Sequence, residues 1–122
     1  MKYLIGYDIG SSSVKAALLN AETGETMASA TSPSSEMPMI ALHAGWAEQD
    51  PEMWWKEAIT ATKTLKKLVD FNPSEVGGIG ISYQMHGLVL VDKNQNALRH
   101  AIIGSFAFSI GIMCCYCHTY YK

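Results

Sequence analysis

Two short stretches carry residue types that can do chemistry. The first, Gly6-Tyr-Asp-Ile-Gly-Ser-Ser-Ser-Val-Lys15, sets one carboxylate, Asp8, ahead of Gly10, the hydroxyls of Ser11, Ser12 and Ser13, and the ammonium group of Lys15. A carboxylate at a strand end can hold a magnesium ion through water while following backbone N–H groups and hydroxyls meet phosphate oxygens, and Lys15 adds positive charge. The same residues also suit a plain hairpin in which Asp8 and the serines satisfy their own turn, and spacing alone favours that reading. Neither the Walker nor the Rossmann glycine pattern is present.

The second stretch is Gln84-Met-His-Gly87. Two hydrogen-bonding side chains, Gln84 and His86, beside a strand end can grip a polyol, because buried hydroxyls need both donors and acceptors. A lone loop histidine is more often ordinary surface. A third cluster, Cys114-Cys-Tyr-Cys-His118, contains the spacing of c-type haem attachment, but no export signal or haem pocket is visible. Zinc is little better served, since Cys114, Cys117 and His118 lack a separated second ligand pair.

These residues need elements to hold them. Apolar runs at 2–7 and 14–19, followed by polar residues 20–24 and a third run at 25–30, predict three strands in hairpin succession. Residues 32–45 carry two prolines and several serines without a steady period and read as a loop, long enough to suggest function or mobility. Asp50-Pro-Glu-Met53 places a capping side chain before a proline and an early acid, which predicts a helix beginning there. Trp55, Ala58, Ile59, Leu65, Leu68 and Val69 would line its apolar face, with Lys56, Lys63, Lys66 and Lys67 largely outside it. Asn72-Pro73 ends the pattern. Val76-Gly-Gly-Ile-Gly-Ile-Ser-Tyr83 suggests a buried strand that neighbouring backbone approaches closely. Residues 88–91 and 101–103 read as further strands around a turn at 92–96, so the order βββ-α-βββ is mixed α/β.

At 122 residues the expectation is one modest domain. Nine basic against eleven acidic residues, a formal charge of −2, give no broad footprint for nucleic acid or an anionic membrane. The start of the chain meets Asp8 after too short an apolar run for a secretory signal, so it reads as cytoplasmic. The three cysteines fall within four positions and read as reduced thiols. From Gly104 the character changes to an uncharged apolar tail, only marginally long enough for a membrane span and carrying glycines and serines.

Three pieces together resemble the N-terminal part of the FGGY family of carbohydrate kinases. Gly6–Lys15 resembles its first phosphate motif, Gly45-Trp-Ala-Glu-Gln-Asp-Pro-Glu-Met-Trp-Trp55 its tryptophan-containing lead into a helix, and Ile79-Gly-Ile-Ser-Tyr-Gln-Met-His-Gly87 the segment that meets the sugar. Gln-Met-His-Gly after such a strand points to the branch that phosphorylates D-xylulose. The resemblance implies a partial ribonuclease H-like, actin-like ATPase domain, with a mixed sheet, at least one long helix, and the strand near 79–83 joining parallel beside the first. It implies ATP and Mg2+ as cofactors and D-xylulose as substrate. Asp8 would act on the magnesium side through water, with Gly10, Ser11, Ser12, Ser13 and Lys15 around the transferring phosphate. Gln84, Met85, His86 and Gly87 would lie against the ketose. A non-catalytic actin-like nucleotide-binding or assembly module is the alternative, and Gln84-Met-His-Gly87 argues against it.

The resemblance spans residues 2–103, and 104–122 reads as a tail foreign to the family. Family members are several times longer, and their general-base aspartate lies beyond the matched region. The tryptophan and acidic residue that usually follow the last matched strand are replaced by Gly104-Ser-Phe-Ala107, and His100 stands where proline is usual. These departures resemble a shifted frame or a truncated gene, and predict negligible kinase turnover by this chain alone. A half-domain lacking the elements that cover its sheet is also expected to self-associate.

Overall fold

A computed structural model describes residues 2–85 and 87–103. His86 and the tail from 104 onward, including the Cys114–His118 cluster, lie outside the described residues. The chain divides into two compact units, one formed by 1–38 with 50–84, the other by 39–49 with 85–122.

In the first unit, β1 (Tyr3–Ile9), β2 (Val14–Asn20) and β3 (Thr26–Ser32) form the expected antiparallel meander, and β5 (Val76–Tyr83) adds in parallel beside β1. The sheet order is β3-β2-β1-β5. Helix α1 (Pro51–Leu68) makes the crossover from β3 to β5 and packs on one face. Its start is the one the sequence predicts: the Asp50 carboxylate accepts from the Glu52 N–H at 3.0 Å, and Pro51 fills the first helical position, where no N–H is needed.

The core under α1 joins Ile5, Ala16, Leu18, Ala30, Ala61, Leu65 and Phe71, and a neighbouring cluster joins Val14, Met37 and Ala58. The helix face therefore differs from the one expected. Ala58, Ala61 and Leu65 are its buried positions, whereas Trp55 is 66% exposed and Leu68 and Ile59 are exposed as well. Two alanines one turn apart let the helix sit close to the sheet, which leaves larger residues at its margins and ends outside the contact. Tyr7 Oη and Thr62 Oγ1 share a hydrogen bond of 2.6 Å, and Ser32 Oγ donates to Glu57 Oε2 at 2.6 Å, so the helix is also fixed by polar ties.

A second correction concerns β5. The sequence suggests a buried strand, but Ile79, Ile81 and Tyr83 are 63%, 61% and 74% exposed. The strand forms the outer edge of its sheet among the described residues, and α1 covers β1 to β3 rather than β5. An apolar run marks strand formation without saying what covers it.

The second unit contains β4 (Glu48–Gln49), β6 (Gly87–Leu88) and β7 (Ala101–Ile103), antiparallel in the order β4-β7-β6. The strand expected at 88–91 stops at Leu88, and the chain continues into a turn where the Asp92 carboxylate accepts from the N–H groups of Asn94 and Asn96. Those bonds, Asn96 first, hold the Asp92 carboxyl below its usual range. The buried Glu48 carboxylate is met by the Arg99 guanidinium. Among the described residues no helix is long and apolar enough to cross a membrane.

Candidate functional site

The end of β1 carries the first motif. Strand alternation puts Ile5 and Tyr7 toward α1 and turns Gly6 and Asp8 to the opposite face. In register, Asp8 lies opposite Lys15 on β2 and beside Ser82 on β5. Cross-strand partners share a face, with Cβ atoms about 4.5–5.5 Å apart in antiparallel pairs. The structure therefore brings a carboxylate, an ammonium group and a hydroxyl into one exposed row across three strands. The face is open around them: added Cβ atoms on Gly6 and Gly80 would meet nothing within 4 Å.

The turn between β1 and β2 is short and braced. The Gly10 N–H donates to the Ser13 carbonyl at 3.0 Å, and a Cβ at Gly10 would sit 3.1 Å from that same oxygen. That contact is tighter than a Cβ usually makes, so a larger residue would push the Ser13 carbonyl back by a few tenths of an ångström. The Ser12 carbonyl accepts from the Met37 N–H at 2.8 Å, and the Met37 side chain is buried with Val14 and Ala58. The early part of the loop at 32–45 thus holds the serine turn in place, a role the lack of periodicity in that segment did not reveal. Met37, an apolar residue among serines and prolines, was the available signal.

Gln84 follows β5 directly. Its backbone N–H donates to the Ile9 carbonyl at 2.9 Å, which extends the parallel pairing of β1 and β5 by one step. Both strands therefore end together, and the carboxyl ends of parallel strands are where open α/β sheets place ligands. Gln84 and the phosphate motif share the first unit, whereas Met85 and Gly87 belong to the second. Met85 is exposed, and Gly87 begins β6. Sequence reasoning did not single out Ser82, although it stands inside the segment quoted for the sugar motif.

The pattern of the N-terminal domain of the FGGY family of carbohydrate kinases matches residues 3–117. The chain belongs to that family. It is 41% identical over 103 residues to the xylulose kinase of Bacillus subtilis, covering 84% of this chain and 20% of that protein. The xylulose kinase of Klebsiella pneumoniae is 46% identical over 99 residues, covering 81% of this chain and 19% of that one. The chain thus spans about a fifth of the length of the curated relatives it matches. Among solved structures, a xylulose kinase from Rhodospirillum rubrum superposes with a TM-score of 0.73 at 28% identity, covering 94% of this chain and 23% of that one. A xyloylose kinase from Brucella ovis superposes with a TM-score of 0.74 at 37% identity, covering 84% and 21% respectively. The mixed sheet and long crossover helix are this family's actin-like architecture, in part.

Proposed function

We propose that these residues form the phosphate-facing and sugar-facing wall of an ATP-dependent kinase that converts D-xylulose to D-xylulose 5-phosphate. The observation that carries this reading is the row of Lys15, Asp8 and Ser82 at the common end of β1 and β5, beside the Ser11–Ser13 turn and one step from Gln84. Relatives of about 41–46% identity named xylulose kinase support the choice of sugar.

The donors present fit magnesium. Asp8 is the one carboxylate in the row, and Mg2+ is commonly bound through one or two carboxylates while keeping several waters and taking phosphate oxygens. Among the described residues no three His, Cys, Asp or Glu side chains gather as a cage for a metal. Magnesium–ATP, when bound, supplies the transferable phosphoryl group and part of the charge neutralisation. Asp8 would hold the water shell of the ion, Lys15 would offset phosphate charge, and the hydroxyls of Ser11, Ser12 and Ser13 would donate to phosphate oxygens. Met85, His86 and Gly87 are assigned to the ketose with Gln84, so that positioning supplies much of the catalysis. No residue of this chain is assigned as general base, and we expect negligible turnover from the 122 residues alone.

ATP-dependent chemistry and cysteines that read as reduced thiols support a cytoplasmic location. The exposed edge of β5 supports self-association through that strand.

The test is a chimera in which residues 2–103 replace the matching segment of the Klebsiella pneumoniae xylulose kinase, assayed with ATP, magnesium and D-xylulose. Turnover within about tenfold of the parent is expected. Asp8→Asn in the chimera should lower kcat by on the order of 10²-fold or more, the scale set by lost electrostatic stabilisation. A folded chimera without D-xylulose turnover would sink the reading.

A further inference from the structure

Beside α1, on the face of the sheet that the helix only partly covers, lies a groove of about 770 Å³. α1 packs chiefly over β2 and β3. The strip of sheet beyond it presents Val76 and Ile79 of β5, together with Phe71 from the segment after α1. Neighbouring strands lie about 4.8 Å apart and packed helices about 8–10 Å apart. A second helix set beside α1 would therefore come down between β1 and β5, over this groove. No described residue fills that place, and Ile79 is left largely exposed.

The wall on the α1 side is a row of cations. Lys63, Lys66 and Lys67 line the groove at i, i+3 and i+4 spacing, where like charges repel. Lys66 is already engaged, by the Asp70 carboxylate at 3.3 Å and the Phe71 carbonyl at 2.8 Å. Glu75, the next acid along the chain, is held by Lys2 at 2.7 Å. Lys63 and Lys67 have no ion pair among the described residues. We propose that this groove is the seat of an amphipathic helix from another polypeptide segment, apolar toward β5 and carrying Asp or Glu along the edge that faces Lys63 and Lys67. The open shape favours this occupant over a small ligand. With α1 on one side and only the outer edge of the sheet on the other, a small molecule would stay largely in water, whereas a helix would also reach Ile81. A second copy of the chain is a poorer occupant, because Ala58, Ala61 and Leu65 of its α1 are already buried against its own sheet.

The test uses the full 122-residue chain and two labelled helical peptides of about 18 residues, which span about 27 Å against about 26 Å for the eight residues of β5. Both peptides carry Leu and Ala on one side; one has Glu and the other Lys along the neighbouring edge. Fluorescence anisotropy at low salt should show the Glu peptide binding about tenfold more tightly than the Lys peptide. The formal charge of −2 on the chain works against that preference, so its appearance would report the local edge. Amide NMR shifts should move at Val76 and Ile79. Reversing both cations, Lys63→Glu with Lys67→Glu, should invert the preference, and Ile79→Lys should weaken both peptides by about tenfold or more. All three positions are exposed, so these changes should disturb folding little. Equal affinity for the two peptides, a preference that survives the charge reversal, or no binding of either would overturn the proposal. So would shifts at Val76 and Ile79 produced by laurate and by neither peptide, which would give the groove to a small amphiphile. A dimer that Ile79→Lys dissolves and the Glu peptide does not would overturn it too, by giving the groove to a second copy.

Discussion

On one flank of β1, strands β2 and β3 lie under α1, with Val14, Ala16, Leu18 and Ala30 buried. On the other flank, β5 pairs with β1 along the same length yet leaves Ile79, Ile81 and Tyr83 in the open. Backbone pairing is complete on both sides; what differs is burial of side chains. Since apolar burial rather than ladder hydrogen bonding supplies most of the net stability, the two flanks should contribute very unequally to it. The chemistry straddles the boundary. Lys15 stands on the sealed flank, Ser82 on the open one, and Asp8 between them. All three project on the face away from α1, so the flanks differ in how firmly the packing behind them holds each strand.

The largest test of that contrast is Leu65→Ala. Leu65 is fully buried where α1 meets the sheet, and core leucine truncations cost about 2–5 kcal/mol. Urea unfolding should show a loss in that range. A loss under about 1 kcal/mol would mean that α1 does not seal the β2 flank, and the contrast with β5 would fall.

A smaller effect is expected at Gly10, in the turn that leaves the sealed flank and carries the serines. A methyl group there would lie 3.1 Å from the Ser13 carbonyl, so Gly10→Ala should displace the turn by a few tenths of an ångström, at a cost of about 1 kcal/mol. Amide NMR shifts should change at Ser11 to Ser13 and at Met37, whose N–H is bonded to Ser12, and remain close to unaltered along the outer half of β5. Shifts spreading evenly over both flanks would show that the turn is not locally braced.

Much of this was legible in the residues. The three-strand meander, the helix start at Asp50-Pro51 and the Asp92–Asn96 turn follow from local chemistry, because capping, proline position and turn residues act over a few positions. The motif residues Asp8 and Lys15 could be named from sequence, but their direct opposition depends on register, which is fixed by a four-residue turn and a buried face. The burial of Ala61 in place of Trp55 and the exposure of β5 were not legible. Both depend on where a helix docks on a sheet, a non-local choice to which a small residue contributes by letting the backbones approach. The groove between α1 and β5 was also out of reach, since it is defined by what does not fill it.

The smallest stability effect should come from the open flank itself. Ile81 is 61% exposed, so Ile81→Thr removes little burial and keeps a β-branched side chain suited to a strand. Its effect on unfolding free energy should stay within about 0.5 kcal/mol, the range of ordinary surface changes. The same substitution makes the edge more polar. An uncharged eight-residue strand without proline, Val76 to Tyr83, is the sheet's outer edge among the described residues and presents apolar side chains that suit pairing with a second chain. Light scattering over a concentration series should therefore show weaker self-association for Ile81→Thr than for the unaltered chain, at nearly equal stability. If association is unchanged, β5 is not the contact. If stability falls as far as in Leu65→Ala, the two flanks of β1 are equally sealed, and the asymmetry in packing across β1 is lost.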